Sequence, residues 1–218
     1  MEDPISCPHG SSVGVTSFAL PEAKHSQKGV SVEYVPDPED KKKWFVFRAS
    51  YRREIMAVDQ LILDGVYAYV AVRKGVRRVD GKLRHYTEPL ISNLVFAYLT
   101  EEQARAYVYD TPALTYLSFY YNHFQVGVDF RNPPLTVSQR EMCNFILATH
   151  TQNEHIRLVN PDTVTFKTND QVRVTQGEFQ GVCGRVARIA GQQRVVVQFL
   201  DSLIATAYIP TAFLEAIS

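Results

Sequence analysis

At 218 residues, with Lys plus Arg and Asp plus Glu balanced at 23 each, the chain has no formal net charge, which excludes the global cationic field that drives bulk nucleic-acid binding. Its length allows one large or two modest cores, and no apolar run approaches the roughly 18 residues of a membrane span, nor does a basic region followed by an apolar core open the chain. Three widely separated cysteines, Cys7, Cys143 and Cys183, fit neither a disulfide framework nor paired zinc ligands, so a soluble protein of the reducing cytoplasm is expected, with no membrane partner.

Residues 1–43 hold five prolines, many Ser and Gly and no sustained period; they cannot bury enough apolar surface to offset ordering entropy and read as a disordered tail. Order is expected from Trp44. Trp44-Phe45-Val46-Phe47 is a short, wholly apolar aromatic and β-branched run, the pattern of a central strand covered on both faces. A helix follows from Arg53 to Leu63, with Ile55, Val58, Leu61 and Ile62 at three- and four-residue spacing and Gly65 as its stop. Val66 to Val72 is β-rich, and the basic stretch Arg73 to Val79 closes on Asp80-Gly81, a two-residue hairpin signal, before a return strand through Leu83 and Tyr86. Pro89 interrupts it ahead of a strand from Ile91 to Tyr98. Thr100 and Gln103 have capping-box spacing for a helix reaching about Tyr109. The stretch 119–130 is again aromatic and β-rich, and a helix opens at Val137 with Met142, Phe145 and Ile146 on one face.

Past Ala148 the pattern changes. Residues 149–163 read as a connector, and 164–218 as short strands separated by Gly turns, a small β-barrel of about 55 residues. The fold class expected is therefore α+β: an N-terminal α/β sandwich over 44–148, its antiparallel sheet flanked by helices, then the C-terminal barrel. Within the barrel, Gly177, Gly181 and Gly184 relax the backbone where a Cβ would obstruct turns or close strand approach.

The run from Asp170 through Gly177-Glu178-Phe179-Gln180-Gly181 to Val186 closely resembles the KOW motif of small SH3-like barrels. The order of Trp44-Phe45-Val46-Phe47, the first helix, the basic hairpin and Glu88 to Phe96 resembles the N-terminal (NGN) domain of NusG-like transcription factors, and Asn132 to Glu141 resembles that family's approach to its last helix. Together the resemblance covers residues 44–218. One departure is informative: NusG proteins usually carry aromatic-Pro-Gly-Tyr where this chain has Ile91-Ser92-Asn93-Leu94, a pattern closest to the UpxY-type and RfaH-like specialised antiterminators.

That resemblance implies a monomer that docks an apolar patch on the clamp of the largest RNA polymerase subunit, with Trp44, Val46, Ile91, Leu94 and Phe96 either in the patch or in the core behind it. It implies contact with the non-template DNA strand or nascent RNA through Ser50, Tyr51, Arg52, Arg53 and Gln60. Arg can hold phosphate or a guanine edge, and an aromatic can stack on an unpaired base; a plain solvated helix face is the competing reading. The hairpin residues Arg73, Lys74, Arg77, Arg78, Lys82 and Arg84 are the densest basic cluster and could screen DNA phosphates. Phe179 is placed where the family engages a ribosomal protein or termination factor, or packs on its own barrel. The strong β preference of Arg194 to Phe199 predicts a stable barrel.

No histidine lies in a recognisable catalytic spacing, and no phosphate-binding Gly loop, nucleophile elbow or paired-carboxylate motif occurs. No catalysis, metal or cofactor is expected. The alternative class is a ribosome- or RNA-associated KOW protein.

Overall fold

The computed structural model describes residues 41–122, 132–150, 155–160, 164–189, 191–200 and 202–217. The tail expected over 1–43 lies almost wholly outside them, as does the 119–130 stretch beyond Asn122. In chain order the first elements are β1 (Lys43–Ala49), α1 (Glu54–Leu63), β2 (Tyr67–Tyr69), β3 (Val72–Val79), β4 (Lys82–Pro89), β5 (Leu94–Leu99) and α2 (Glu101–Tyr109). Next come β6 (Leu117–Phe119), β7 (Thr136–Val137), α3 (Gln139–Thr149), β8 (Arg157–Val159) and β9 (Thr165–Val174). The last are β10 (Cys183–Ile189), β11 (Gln192–Phe199), β12 (Ser202–Tyr208) and β13 (Leu214–Ile217). The described chain is thus mixed α and β, its sheets antiparallel. It forms two compact units, one from the residues up to Val70 with Ile91–Gln139, the other from Ala71–Leu90 with Arg140 onward.

The first unit is organised by β1. Trp44, Phe45, Val46 and Phe47 are all buried, and the strand pairs with β5 along one edge and with β6 and β7 along the other, leaving neither edge open. β2 extends the sheet beyond β5. α1 buries Glu54, Ala57, Val58 and Leu61, the three- and four-residue spacing of one helical face. α2 opens with both bonds of a capping box: Thr100 Oγ1 accepts from the Gln103 amide at 3.2 Å, and Gln103 Oε1 accepts from the Thr100 amide at 3.1 Å. Trp44 Nε1 donates to Gln139 Oε1 at 2.7 Å, giving the indole the partner that a buried Trp requires.

In the second unit β3 and β4 pair with each other as a hairpin, and among the described residues with no other strand. Its Asp80-Gly81 turn has both residues at positive φ, 51° and 75°, the type I′ geometry expected of that dipeptide. The larger sheet runs β13-β9-β10-β11-β12-β8. At Gly184 an added Cβ would lie 2.5 Å from the Val196 carbonyl oxygen, so β10 and β11 approach too closely there for any side chain. Gly177 and Gly181 hold φ of 87° and 91° in the turn between β9 and β10.

Two expectations change. Residues 157–159, read from the sequence as connector, form the edge strand β8 on β12. The Arg194 guanidinium holds the neighbouring segment, donating to the His155 carbonyl at 3.0 Å and the Thr206 carbonyl at 2.6 Å; burial, then the nearby Arg157, lowers its pKa. α3, read as the last helix of the N-terminal domain, falls in the compact unit of the larger sheet. Phe145 stacks on Phe199 with centroids 3.8 Å apart, and the Asn144 side chain both accepts from the Cys183 amide and donates to its carbonyl. Cys143 is a buried free thiol on α3.

Two substitutions test this packing in urea titrations. Thr100→Ala, losing one capping bond, is expected to lower the unfolding free energy by about 1 kcal/mol. Gly184→Ala, which drives a Cβ into backbone, is expected to cost about 1–3 kcal/mol. A wild-type midpoint for Gly184→Ala at unchanged m value contradicts the close strand approach.

Candidate nucleic-acid and protein interfaces

β1 ends at Ala49, and the next four residues turn sharply into α1. Tyr51 and Arg52 both hold positive φ, 61° and 56°, a conformation that costs about 1–3 kcal/mol per non-Gly residue and persists only where the surroundings fix it. The fixing contacts are local. The Ser50 amide donates to the Tyr116 carbonyl at 3.0 Å, and the Ala49 amide to the Asn93 carbonyl at 2.9 Å. Asn93 itself stands at φ 65°, and its amide donates to Glu54 Oε1 at 2.7 Å. Glu54, 1% exposed at the start of α1, thus ties the Ile91–Leu94 turn to the helix, and its other oxygen has no hydrogen-bond partner among the described residues.

The strained turn presents Tyr51, 83% exposed, beside exposed Arg52 and Arg53. The Arg53 guanidinium lies over two rings, 5.8 Å from the centroid of Tyr51 and 5.0 Å from that of Tyr116. Burial pushes the Tyr116 hydroxyl pKa up, against the opposing pull of Arg53. An aromatic and two guanidinium groups on a backbone held in place suit an unpaired base and its phosphate. Ser50, Tyr51, Arg52 and Arg53 therefore come together. Gln60 does not join them: it lies near the other end of α1 and donates to Asp64 at 3.0 Å.

The apolar candidates separate by burial. Trp44, Val46 and Phe96 are 2%, 0% and 1% exposed and belong to the sheet core, whereas Ile91 and Leu94 are half-buried on the Asn93 turn. Of the two roles left open by the sequence, patch or core, the first three take the core. Exposed apolar side chains of this unit that sequence reasoning missed are Met56, Leu63, Tyr109 and Tyr121. The spacing of Met56 and Leu63, seven residues apart and off the buried face of α1, was the available signal.

On the hairpin, Arg73 donates Nε to Glu88 at 2.6 Å and is neutralised there. Lys74, Arg77 and Arg78 have no carboxylate partner among the described residues. The Arg77 guanidinium sits 5.6 Å from the Tyr86 ring centroid, and that ring lies across Gly75, where an added Cβ would come within 2.5 Å of it. Phe179 is buried, with Glu178 and Gln180 exposed on either side of it in the turn. It backs the turn rather than projecting from it. Among the described residues no group of three His, Cys, Asp or Glu is placed to hold a metal ion. No family model matches this chain, and no curated protein matches it.

The Glu54–Asn93 tie is testable by stability. Asn93→Gly accepts φ 65° and is expected to stay within a few tenths of a kcal/mol of wild type, while Asn93→Val is expected to lose about 1–3 kcal/mol. Glu54→Ala orphans the Asn93 amide and is expected to lose a similar amount. Equal thermal midpoints for the Gly and Val variants contradict the tie.

Proposed function

We propose that the chain is a NusG-like transcription elongation or antitermination factor, closest to the UpxY-type and RfaH-like specialised paralogues. It binds RNA polymerase and promotes read-through of pauses or terminators at particular long operons. In this reading the sheet of β1, β2, β5, β6 and β7 belongs to an NGN-like domain and the sheet of β8 to β13 to a KOW barrel. The protein is a cytoplasmic monomer without catalytic activity or cofactor.

The observation that carries the reading is Asn93. NusG proteins usually place aromatic-Pro-Gly-Tyr at this turn, and the third position of Ile91-Ser92-Asn93-Leu94 stands at φ 65°, a conformation that glycine adopts freely and that asparagine tolerates better than most residues. Asn93 thus takes, at the position of the family's glycine, a conformation open to glycine. Ile91 and Leu94 flank it half-buried, and they are the residues assigned to the polymerase clamp, with Trp44, Val46 and Phe96 supporting them from the core. The Ser50–Arg53 turn is assigned to the displaced non-template strand or nascent RNA. Exposed Glu178 and Gln180, shaped by buried Phe179, are assigned to a ribosomal protein or termination factor.

The test is co-elution of purified protein with the host's core RNA polymerase. Ile91→Asp and Leu94→Asp, each shown to be folded by circular dichroism, are expected to lose at least tenfold in affinity, since a buried charge at a protein interface goes unpaired. Failure of the wild type to bind polymerase overturns the proposal, and retention on ribosomes or RNA instead points to an RNA-associated KOW protein.

A further inference from the structure

The β3–β4 hairpin carries six Lys and Arg against two acidic residues between Val72 and Pro89, a local net charge of +4 in a chain whose total is zero. Its register sorts those charges onto both faces. Arg77 lies directly across from Arg84, with Lys82 two residues before Arg84 on the same side, while Lys74 and Arg78 occupy the opposite side, across from Thr87 and Leu83. Like charges placed directly across an antiparallel pair are destabilising, and among the described residues no carboxylate relieves Arg77 and Arg84. The one internal ion pair of the hairpin, Arg73 with Glu88, sits near its base. Arg77, Arg78, Lys82 and Arg84 are exposed, as are Val76 and Leu83 on the Lys74 side.

We infer that this hairpin is a binding arm for B-form DNA duplex that enters the major groove, with phosphates met on both faces. A surface that lies on a single strand needs cations on one face only; a slot walled on two sides by phosphate needs them on both. The major groove is such a slot, about 12 Å wide, and admits a two-stranded β-ribbon. Strands of eight residues give an arm of about 27 Å, long enough to follow the groove. An A-form RNA duplex, whose major groove is deep and narrow, does not admit the arm. The inference deepens the nucleic-acid contact of the proposed function by naming its ligand, and it needs no polymerase to test.

The experiment is fluorescence anisotropy of the full chain with a labelled DNA duplex of about 20 bp, the same sequence as single strand, and the matching RNA duplex, each across a salt series. Wild type is expected to bind the DNA duplex at least tenfold more tightly than either competitor. Arg77→Ala/Arg84→Ala and Lys74→Ala/Arg78→Ala are each expected to reduce the slope of log affinity against log salt by about 1.8, two phosphate contacts at about 0.9 apiece. Arg77→Lys/Arg84→Lys, which keeps the charge, is expected to retain the slope and so separates loss of contact from loss of the hairpin. Arg105→Ala on α2 is expected to change nothing. Equal or tighter binding of single strand, dependence on one face alone, or no duplex binding overturns the inference. Because polymerase co-elution reads Ile91 and Leu94, failure of either idea is distinguishable from failure of the other.

Discussion

Burial of β1 on both faces and pairing of both its edges is the constraint on which the first unit rests. Residues 44–47 are at most 3% exposed, and their backbone groups are taken up by β5 on one side and by β6 and β7 on the other. At about 25 cal/mol per Å² of apolar surface removed from water, the burial of two phenylalanines, a valine and a tryptophan on this strand stabilises the sheet. Its far end then decides where the polar chemistry stands. Ala49 and Ser50 spend their amides on Asn93 and Tyr116, so the loop that follows has no slack. Tyr51 and Arg52 are forced through a backbone conformation that no free peptide would favour.

The same tie joins two surfaces of different character. Asn93 accepts from the end of β1 and donates to the carboxylate at the start of α1. One side of this junction leads to the half-buried apolar pair Ile91 and Leu94, the other to the exposed Tyr51 and the arginines. Displacement of the turn would therefore move both surfaces together. In an electrically neutral chain, such fixed placement substitutes for net charge: the cations are few, and they act where the fold concentrates them.

Much of this was legible in the sequence. The apolar run of β1, the 54–63 helix, the Asp80-Gly81 hairpin, the Thr100–Gln103 box and the Gly-bounded 177–181 turn all rest on short-range rules of period, capping and φ, and the structure follows each. What was not legible depends on partners distant in the chain. Whether Trp44, Val46 and Phe96 line a patch or fill a core is set by β5 and its neighbours, more than 40 residues away from β1 in sequence. Glu54 reads as an ordinary charged helix opener until the Asn93 amide arrives beside it. Residues 157–159 read as connector because three residues carry too little period, and their strand exists through pairing with β12 and anchoring by Arg194. α3 shows a clear apolar face, yet its composition does not say which sheet that face meets; the Phe145–Phe199 stack and the Asn144 clamp decide it.

The contact of Tyr86 with Gly75 carries a consequence for descent. The ring occupies the space that a side chain at position 75 would fill, and the Arg77 guanidinium lies over it. A larger residue at 75 therefore makes the tyrosine ring swing aside, away from its place beside Arg77, and loss of the tyrosine leaves a bare glycine weakening the strand. Lineages that keep the arm should change these two positions as a pair, with a larger residue at one matched by a smaller residue at the other. Lineages that have abandoned it should let both drift independently, so that linked substitution at 75 and 86 becomes a mark of the arm's continued use.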